Sequence, residues 1–405
     1  MFSEVSIMLL QFRVKNYRSI GDEITIDFTA GGGRELSHFL IEKNKVKILP
    51  VVSLYGSNAS GKSNIIDALQ QMFRNIANSH TYGENHGFLT VPFLYDASQV
   101  NKPTEFELFF VMGRYEYQYG FIASVDKVYE EWLYRQVLSV NETKQNSIFV
   151  REGDNIQFAK PYAKFENLTS VVGKKNLALS FLGYQEAKEA KIFNDIYDWI
   201  SSIFRVSPDW TDIEFFAGMY YEDEARKKFF LDFISEFDPL IEDIQIEREM
   251  NKNGETEFRV FTQHNGEKYP LYFESFGTRK LFSMCACIAT ILNVVGGAFI
   301  CDELDSHLHP LILRRIVRMF HDKNTNKTNA QLIFTSHNMI VLDNQELRRD
   351  EIWFVEKDNR GYTNTYSLDS FKTTKNEIRA DMSYGKNYLA GRFGAIPYTK
   401  PNGDK

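Results

Sequence analysis

Eight residues, Gly56-Ser57-Asn58-Ala59-Ser60-Gly61-Lys62-Ser63, limit how this 405-residue chain can fold more than any other stretch of it. They fit the pattern G-x-x-x-x-G-K-[ST]. The apolar run Val46 to Tyr55 comes immediately before them, and Lys62 to Phe73, with Ile65, Ile66, Leu69 and Phe73 at helical spacing, comes immediately after. A strand, a tight loop and a helix in that order turn the loop's N–H groups inward at a helix N-terminus, which adds partial positive charge, and such a place holds phosphates. The pattern predicts that Lys62 contacts the outer phosphates of a bound nucleotide, that Ser63 ligates magnesium, and that Asn64 belongs to the same nucleotide-facing turn. From average composition a chance match arises in roughly one chain in a hundred of this length, and the flanking elements lower that figure.

Two later segments carry the residues such a loop needs. Ala298-Phe299-Ile300-Cys301-Asp302-Glu303 is an apolar strand ending in two carboxylates. Beside the glycine loop, Asp302 is placed to bind magnesium through water and Glu303 to polarise the attacking water. Phe334-Thr335-Ser336-His337-Asn338 follows the next strand, and His337 falls where a γ-phosphate sensor is required. His307-Leu308-His309 has the look of a metal pair, but no third ligand is near. Pro310 there opens a helix with the apolar face Leu311, Ile312, Ile316 and Phe320, so a loop and helix cap is the reading taken.

The length predicts one large domain with an insertion, or two domains. A net charge of -7 excludes a chain whose whole surface binds polyanions, though not a local basic groove. Cys285, Cys287 and Cys301 are too few and too close for a disulfide framework and read as structural thiols in a reducing compartment. The first twenty residues do not make a signal peptide. Leu281 to Cys301 is long and apolar, but Ser283, Thr290, Asn293, Gly296 and Gly297 interrupt it, so it reads as a buried helix, a glycine turn and a buried strand rather than a membrane span. The chain is placed in the cytoplasm, with no membrane partner.

Alternation at Leu10, Phe12 and Val14, then at Ile24, Ile26 and Phe28, predicts an opening hairpin; Glu105 to Met112 and Glu116 to Ala123 predict another. Helices are expected at Gln185 to Phe204 and Glu222 to Phe237, followed by a hairpin turning at Asn253-Gly254. From Phe273 onward helices alternate with strands at 298–301, 331–335 and 351–356. The resulting division is an N-lobe at 1–135, a helical and hairpin insert at 136–270, and a C-lobe at 271–405.

In kind and order these residues resemble the ABC ATPases, and within them the SMC-like branch whose nucleotide domain is split by an insert. The likeness includes Leu304-Asp305, similar to a D-loop that puts Asp305 at the nucleotide. It also includes Phe273-Glu274-Ser275-Phe276-Gly277-Thr278-Arg279-Lys280, similar to the Ser-Gly-Gly-Gln signature. The resemblance implies an α/β P-loop NTPase fold of the ABC/SMC type, with a doubly wound mixed sheet, an antiparallel N-terminal β-subdomain and a helical and hairpin insert. It implies ATP and Mg2+ as cofactors, and a head-to-tail homodimer in which Ser275 and Gly277 of one copy cap the γ-phosphate of the other. Asn16-Tyr17-Arg18-Ser19 is similar to the segment whose arginine reaches the phosphates, which assigns that role to Arg18. Phe276 and Thr278 depart from the signature and imply fewer trans contacts and slow turnover. Gln99 and Gln118 both remain open as the Q-loop glutamine.

More narrowly, Asp302 to Pro310 and the ending Gly391-Arg392-Phe393-Gly394-Ala395-Ile396-Pro397 resemble small bacterial ATPases of abortive-infection and phage-defence operons, the RloB-associated and PARIS/Septu-like group. Such ATPases commonly act with a separately encoded effector, often a nuclease, and no nuclease domain is expected in this chain. Two other functions compete with that of a defence sensor. One is a RecF-like DNA-repair clamp using a basic run of Arg314, Arg315, Arg318 and Lys323; the other is an ATP-gated scaffold that scarcely hydrolyses.

Overall fold

The computed structural model describes residues 7–83, 86–138, 145–185, 188–206, 213–221, 223–371 and 382–397. The chain opens with the antiparallel pair β1 (Ile7–Lys15) and β2 (Ile24–Asp27), then the small hairpin β3 (Ile41–Lys43) and β4 (Val46–Ile48). Next come β5 (Val51–Tyr55) and α1 (Lys62–Asn78), the strand and helix on either side of the glycine loop; the run Val46 to Tyr55 expected as one strand is divided at Leu49-Pro50 between β4 and β5, which belong to different sheets. Long antiparallel strands follow: β6 (Thr104–Met112), β7 (Tyr115–Ala123), β8 (Val128–Val137), β9 (Asn146–Glu152) and β10 (Asn155–Phe158). They build one seven-stranded sheet in the order β10-β9-β8-β7-β6-β1-β2. This sheet does not stop at residue 135, where the sequence division ends the N-lobe, because β8 continues into hairpin pairing with β9.

The middle of the chain holds α2 (Ala178–Tyr184), α3 (Lys191–Ser202), β11 (Phe204–Val206), α4 (Ile213–Tyr221) and α5 (Glu224–Ile234). The three-stranded sheet β12 (Asp243–Met250), β13 (Thr256–His264) and β14 (Glu267–Pro270) follows, turning at Gly254 as the sequence predicts. The helix expected from Gln185 to Phe204 runs only from Lys191 to Ser202, because Phe204–Val206 are drawn into the central sheet as β11, parallel to the strand at 298–301. The helix expected over Glu222 to Phe237 runs from Glu224 to Ile234, and Asp223 caps it by accepting from the N–H groups of Ala225 and Arg226; Glu222 itself lies outside the described residues.

The C-terminal part supplies α6 (Phe276–Thr290), β15 (Ala298–Cys301), α7 (Pro310–His321), β16 (Gln331–Thr335), β17 (Ile352–Lys357), β18 (Thr363–Ser367) and α8 (Tyr384–Leu389). The helix expected between the last two parallel strands is absent among the described residues. The chain there makes only single 3₁₀ turns at Met339–Val341 and Arg349–Glu351. The central sheet has the order β11-β15-β16-β5-β17-β18, parallel throughout except for the edge strand β18.

Burial on both faces explains why β5, β15 and β16 read as largely apolar runs rather than alternating ones. Successive side chains still point to opposite sides. Val52, Leu54, Ile300 and Ile333 join a core with α1, α3 and the antiparallel sheet. Val51, Tyr55, Phe299, Leu332 and Phe334 join a second core with α4 to α7. α4 and α5 are therefore packed into the same core as α6, through contacts such as Tyr220 and Phe230 against Phe282, while α2 and α3 belong to the first core. Phe276–Val295 is long and apolar enough to cross a membrane, and it is the mostly buried helix of this second core. Parallel pairing also sets β5, β16 and β15 with their C-terminal ends at one edge, the edge where ligands bind in open α/β sheets.

Candidate functional site

The glycine loop runs from that edge into α1, and its glycines are required by space. A Cβ on Gly56 would lie 2.2 Å from the backbone oxygen of Val355 in β17, which cannot yield. Gly61 has φ +111°, and a Cβ there would meet Thr363 Oγ1 at 2.2 Å, while Ala59 takes the left-handed region at φ 64°. Lys62 is 5% exposed and donates from Nζ to the carbonyls of Gly56 and Ser57, both at 2.9 Å, bracing the loop's first turn. Ser57 is half-buried, Asn58, Ala59 and Ser63 are exposed, and Ser60 is buried. Gly56→Ala is expected to cost about 1–3 kcal/mol by overpacking. A thermal melt checks this, and an unchanged melting temperature would contradict it.

The neighbouring strand ends bring the acids. Thr335, the last residue of β16, donates from Oγ1 to Asp302 Oδ1 at 2.5 Å and accepts from the N–H of Glu303 at 2.7 Å. Leu304 N–H donates to the Thr335 carbonyl at 3.1 Å. Glu303 is exposed and sits at φ 48°, a left-handed conformation for a residue with a side chain. Burial lowers the Lys62 ammonium pKa, opposed by the charges of Asp302, Glu303 and Asp305, so the lysine and all three acids share one field. His337 is exposed and lines, with Gly56, Ser57, Asn58 and Tyr388, a cleft of about 450 Å³.

Ser275 and Gly277 lie elsewhere. Ser275 caps α6, its Oγ accepting from Thr278 N–H at 3.1 Å, with Thr278 Oγ1 2.9 Å away. Gly277 lets the helix approach the 302–309 loop closely, since a Cβ would stand 2.7 Å from the carbonyl of His307. The Phe276 ring packs on His307 with centroids 4.4 Å apart, and the Arg279 guanidinium lies over Tyr272 and Phe276. Phe276 and Thr278, the two departures from the signature, thus serve the helix's own packing and cap. Ser275, Gly277 and His307 line a second cleft of about 450 Å³ that shares no lining residue with the first.

Arg18, at φ 49°, is brought to the second turn of α1, where it pairs with Asp67 at 3.0 Å. The neighbouring Ser19 is tied to the start of α1 by Asn64, which donates to its Oγ at 2.6 Å, and to the glycine loop through Thr363, whose hydroxyl contacts Ser19 Oγ and donates to the Ser60 carbonyl. Of the two glutamine candidates, Gln118 is engaged in the antiparallel sheet with Glu107 and Gln145. Gln99 packs beside Asn16, its side-chain oxygen buried without a partner among the described residues. His309 caps α7 by accepting from Leu311 N–H, in keeping with the cap reading, and no group of three metal-capable side chains occurs among the described residues. The three cysteines are free and buried, and burial pushes the Cys301 thiol up to about 12.

Two residues of the site escape a reading by motif. Thr335 links both acids, and Lys280, fully buried on α6, donates into the 303–306 loop. A lysine at the head of an apolar helical run is the signal that could have found the latter.

The sequence matches the family described as "AAA domain, putative AbiEii toxin, Type IV TA system" over residues 51–343. No curated protein matches it. Similar solved structures include the SMC head domain from Thermotoga maritima, at 17% identity and TM-score 0.44, covering 89% of this chain and 98% of that one. A Smc head bound to the C-winged helix domain of ScpA is similar at 12% identity and TM-score 0.42, covering 90% and 99%. A Smc head with an extended coiled coil, bound to the C-terminal domain of ScpA derived from Pyrococcus furiosus, gives 12%, 0.41, 91% and 98%. The family match spans well over half of the chain, from the strand before the glycine loop to just beyond His337, and the chain therefore belongs to this AAA family of ATPase domains.

Proposed function

We propose that the chain binds MgATP on the 56–63 loop and hydrolyses it at a site completed by a second copy. The observation that carries this reading is the convergence of the buried Lys62 with Asp302, Glu303 and Asp305 at one edge of the parallel sheet. The residues fit the cofactor. Gly56 and Gly61 let the loop close tightly against Val355 and Thr363, where a Cβ would clash, Ser60 Oγ is buried without a partner among the described residues, and Ser63 and Asp302 offer the hard oxygen donors that magnesium takes. Bound Mg2+ would neutralise charge developing on the phosphates.

In this reading Gly56 to Asn64 hold the phosphates, Lys62 neutralises the outer ones, and Ser63 and Asp302 hold the metal. Glu303 orients the attacking water and takes its proton, while His337 and Asp305 face the γ-phosphate and Arg18, held beside α1 by Asp67, reaches toward the phosphates. The separation of the Ser275–Gly277 cleft from the cleft at Gly56–Asn58 and His337 supports a head-to-tail homodimer in which the N-terminus of α6 caps the partner's γ-phosphate. The N-lobe, insert and C-lobe are proposed as parts of that one unit. In a cytoplasmic defence system the opening and closing of the dimer would hold or release a separately encoded effector, a nuclease by the resemblance. The clamp reading would use the run at Arg314, Arg315, Arg318 and Lys323, where Arg314 and Arg318 stand beside Glu346 and Arg315 beside Glu236; hydrolysis stimulated by DNA with a steep salt dependence would favour it.

Subunit mixing tests the shared site. Lys62→Ala and Ser275→Arg should each be inactive alone. Their mixture should regain activity, about a quarter of wild type for random pairing and independent sites, because a mixed dimer keeps one intact pair of loop and signature. A mixture no more active than its parts would refute the shared site.

A further inference from the structure

We infer that Lys280 is a positioning residue for Glu303: a buried cation on the signature helix that holds the backbone carrying the acid, so that water activation depends on where α6 sits. This rests on the reading that Glu303 activates the water.

Lys280 is 0% exposed, and a buried ammonium is tolerated only where oxygens replace its water. Its Nζ finds them on one short segment: Ser306 Oγ at 2.7 Å, the Ser306 carbonyl at 3.0 Å, and the carbonyls of Glu303 and Leu304 at 3.3 Å. That segment is strained, with Glu303 at φ 48° and His307 at φ 60°. Left-handed conformations at non-glycine residues persist where the surroundings over-determine them. Here the clamp has two jaws. Thr335 on β16 holds the Glu303 and Leu304 N–H groups, and Lys280 on α6 holds their carbonyls.

Lys280 also stands five residues from Ser275, on the helix whose first turn forms the signature, and Gly277 brings that turn against His307 at the far end of the same loop. Any displacement of the α6 N-terminus is therefore passed to the Glu303 carbonyl through a charge-assisted contact. Seating of that N-terminus on a second copy's nucleotide would in this way set the aim of the acid.

The test uses the full chain and follows ATP hydrolysis. Lys280→Met should lower kcat by about 10²-fold while leaving KM for MgATP within about threefold of wild type, the signature of a misplaced group rather than of lost binding. In a Glu303→Gln background the same change should add no further loss, because its effect runs through that carboxylate. Should Lys280→Met fail to fold, Ser306→Ala removes the shortest contact alone and should lower kcat about tenfold at unchanged KM. Wild-type kcat in the folded variants, or a second full loss on top of Glu303→Gln, would overturn the inference while leaving the ATPase reading intact. Equal rates for wild type and Glu303→Gln would instead remove the reading and the inference together.

Discussion

Lys62→Ala is expected to lose ATP hydrolysis by about 10²–10³-fold, the scale for deleting one preorganised cationic or N–H donor at a site of developing charge. The loss should exceed that of any other single change in the loop, for an electrostatic reason. Lys62 is the buried cation opposite Asp302, Glu303 and Asp305, and without it three carboxylates face the incoming triphosphate. Stability should change little, within about 1 kcal/mol, since the two carbonyl bonds lost at Gly56 and Ser57 are offset by removing a partly desolvated ammonium. Isothermal titration with MgATP beside a thermal melt separates the two effects. Wild-type affinity in the variant would remove the nucleotide site from this loop. In the proposed defence role, cells carrying Lys62→Ala should lose the phage resistance that the intact operon confers.

Glu303→Gln should behave differently: turnover falls by about 10²–10⁴-fold, the range for losing a general base, while ATP binding persists. The amide keeps the shape of the side chain, and the backbone that aims it is fixed independently, by Thr335 from β16 and by Lys280 from α6. Binding without hydrolysis should then accumulate an ATP-bound dimer, visible as a doubling of mass by light scattering when MgATP is added. Equal turnover in wild type and variant would mean that no water is activated at this acid, and the slow scaffold reading would replace that of an engine.

The legible parts of the fold are those whose cause is local. The glycine loop, its strand and its helix lie within one short window, and so do the opening hairpin, the hairpin at Gly254 and the apolar strands at 298–301 and 331–335. Less legible was β11, three residues that carry no periodicity and become a strand only because the edge of β15 stands beside them. The stretch between β16 and β17 has helical composition but only 3₁₀ turns, and β18 adds an antiparallel edge that no run of alternation marks. The boundary at residue 135 falls inside a continuous ladder, since cross-strand pairing rather than composition decides where a sheet ends.

The site divides along the same line. Chain chemistry alone determined which residues could cradle a triphosphate, hold a metal and activate water, because an anion loop and a strand-terminal acid need particular side chains at fixed short spacing. Tertiary structure alone decided that the buried lysine shares a field with three acids, that Arg18 meets Asp67, that the signature helix opens into a separate cleft, and that Thr335 and Lys280 grip Glu303 from either side. Spacing reports what neighbours within a turn or a pleat can do, whereas a hydrogen bond between residues decades apart exists only once the packed cores have set the distance between their backbones.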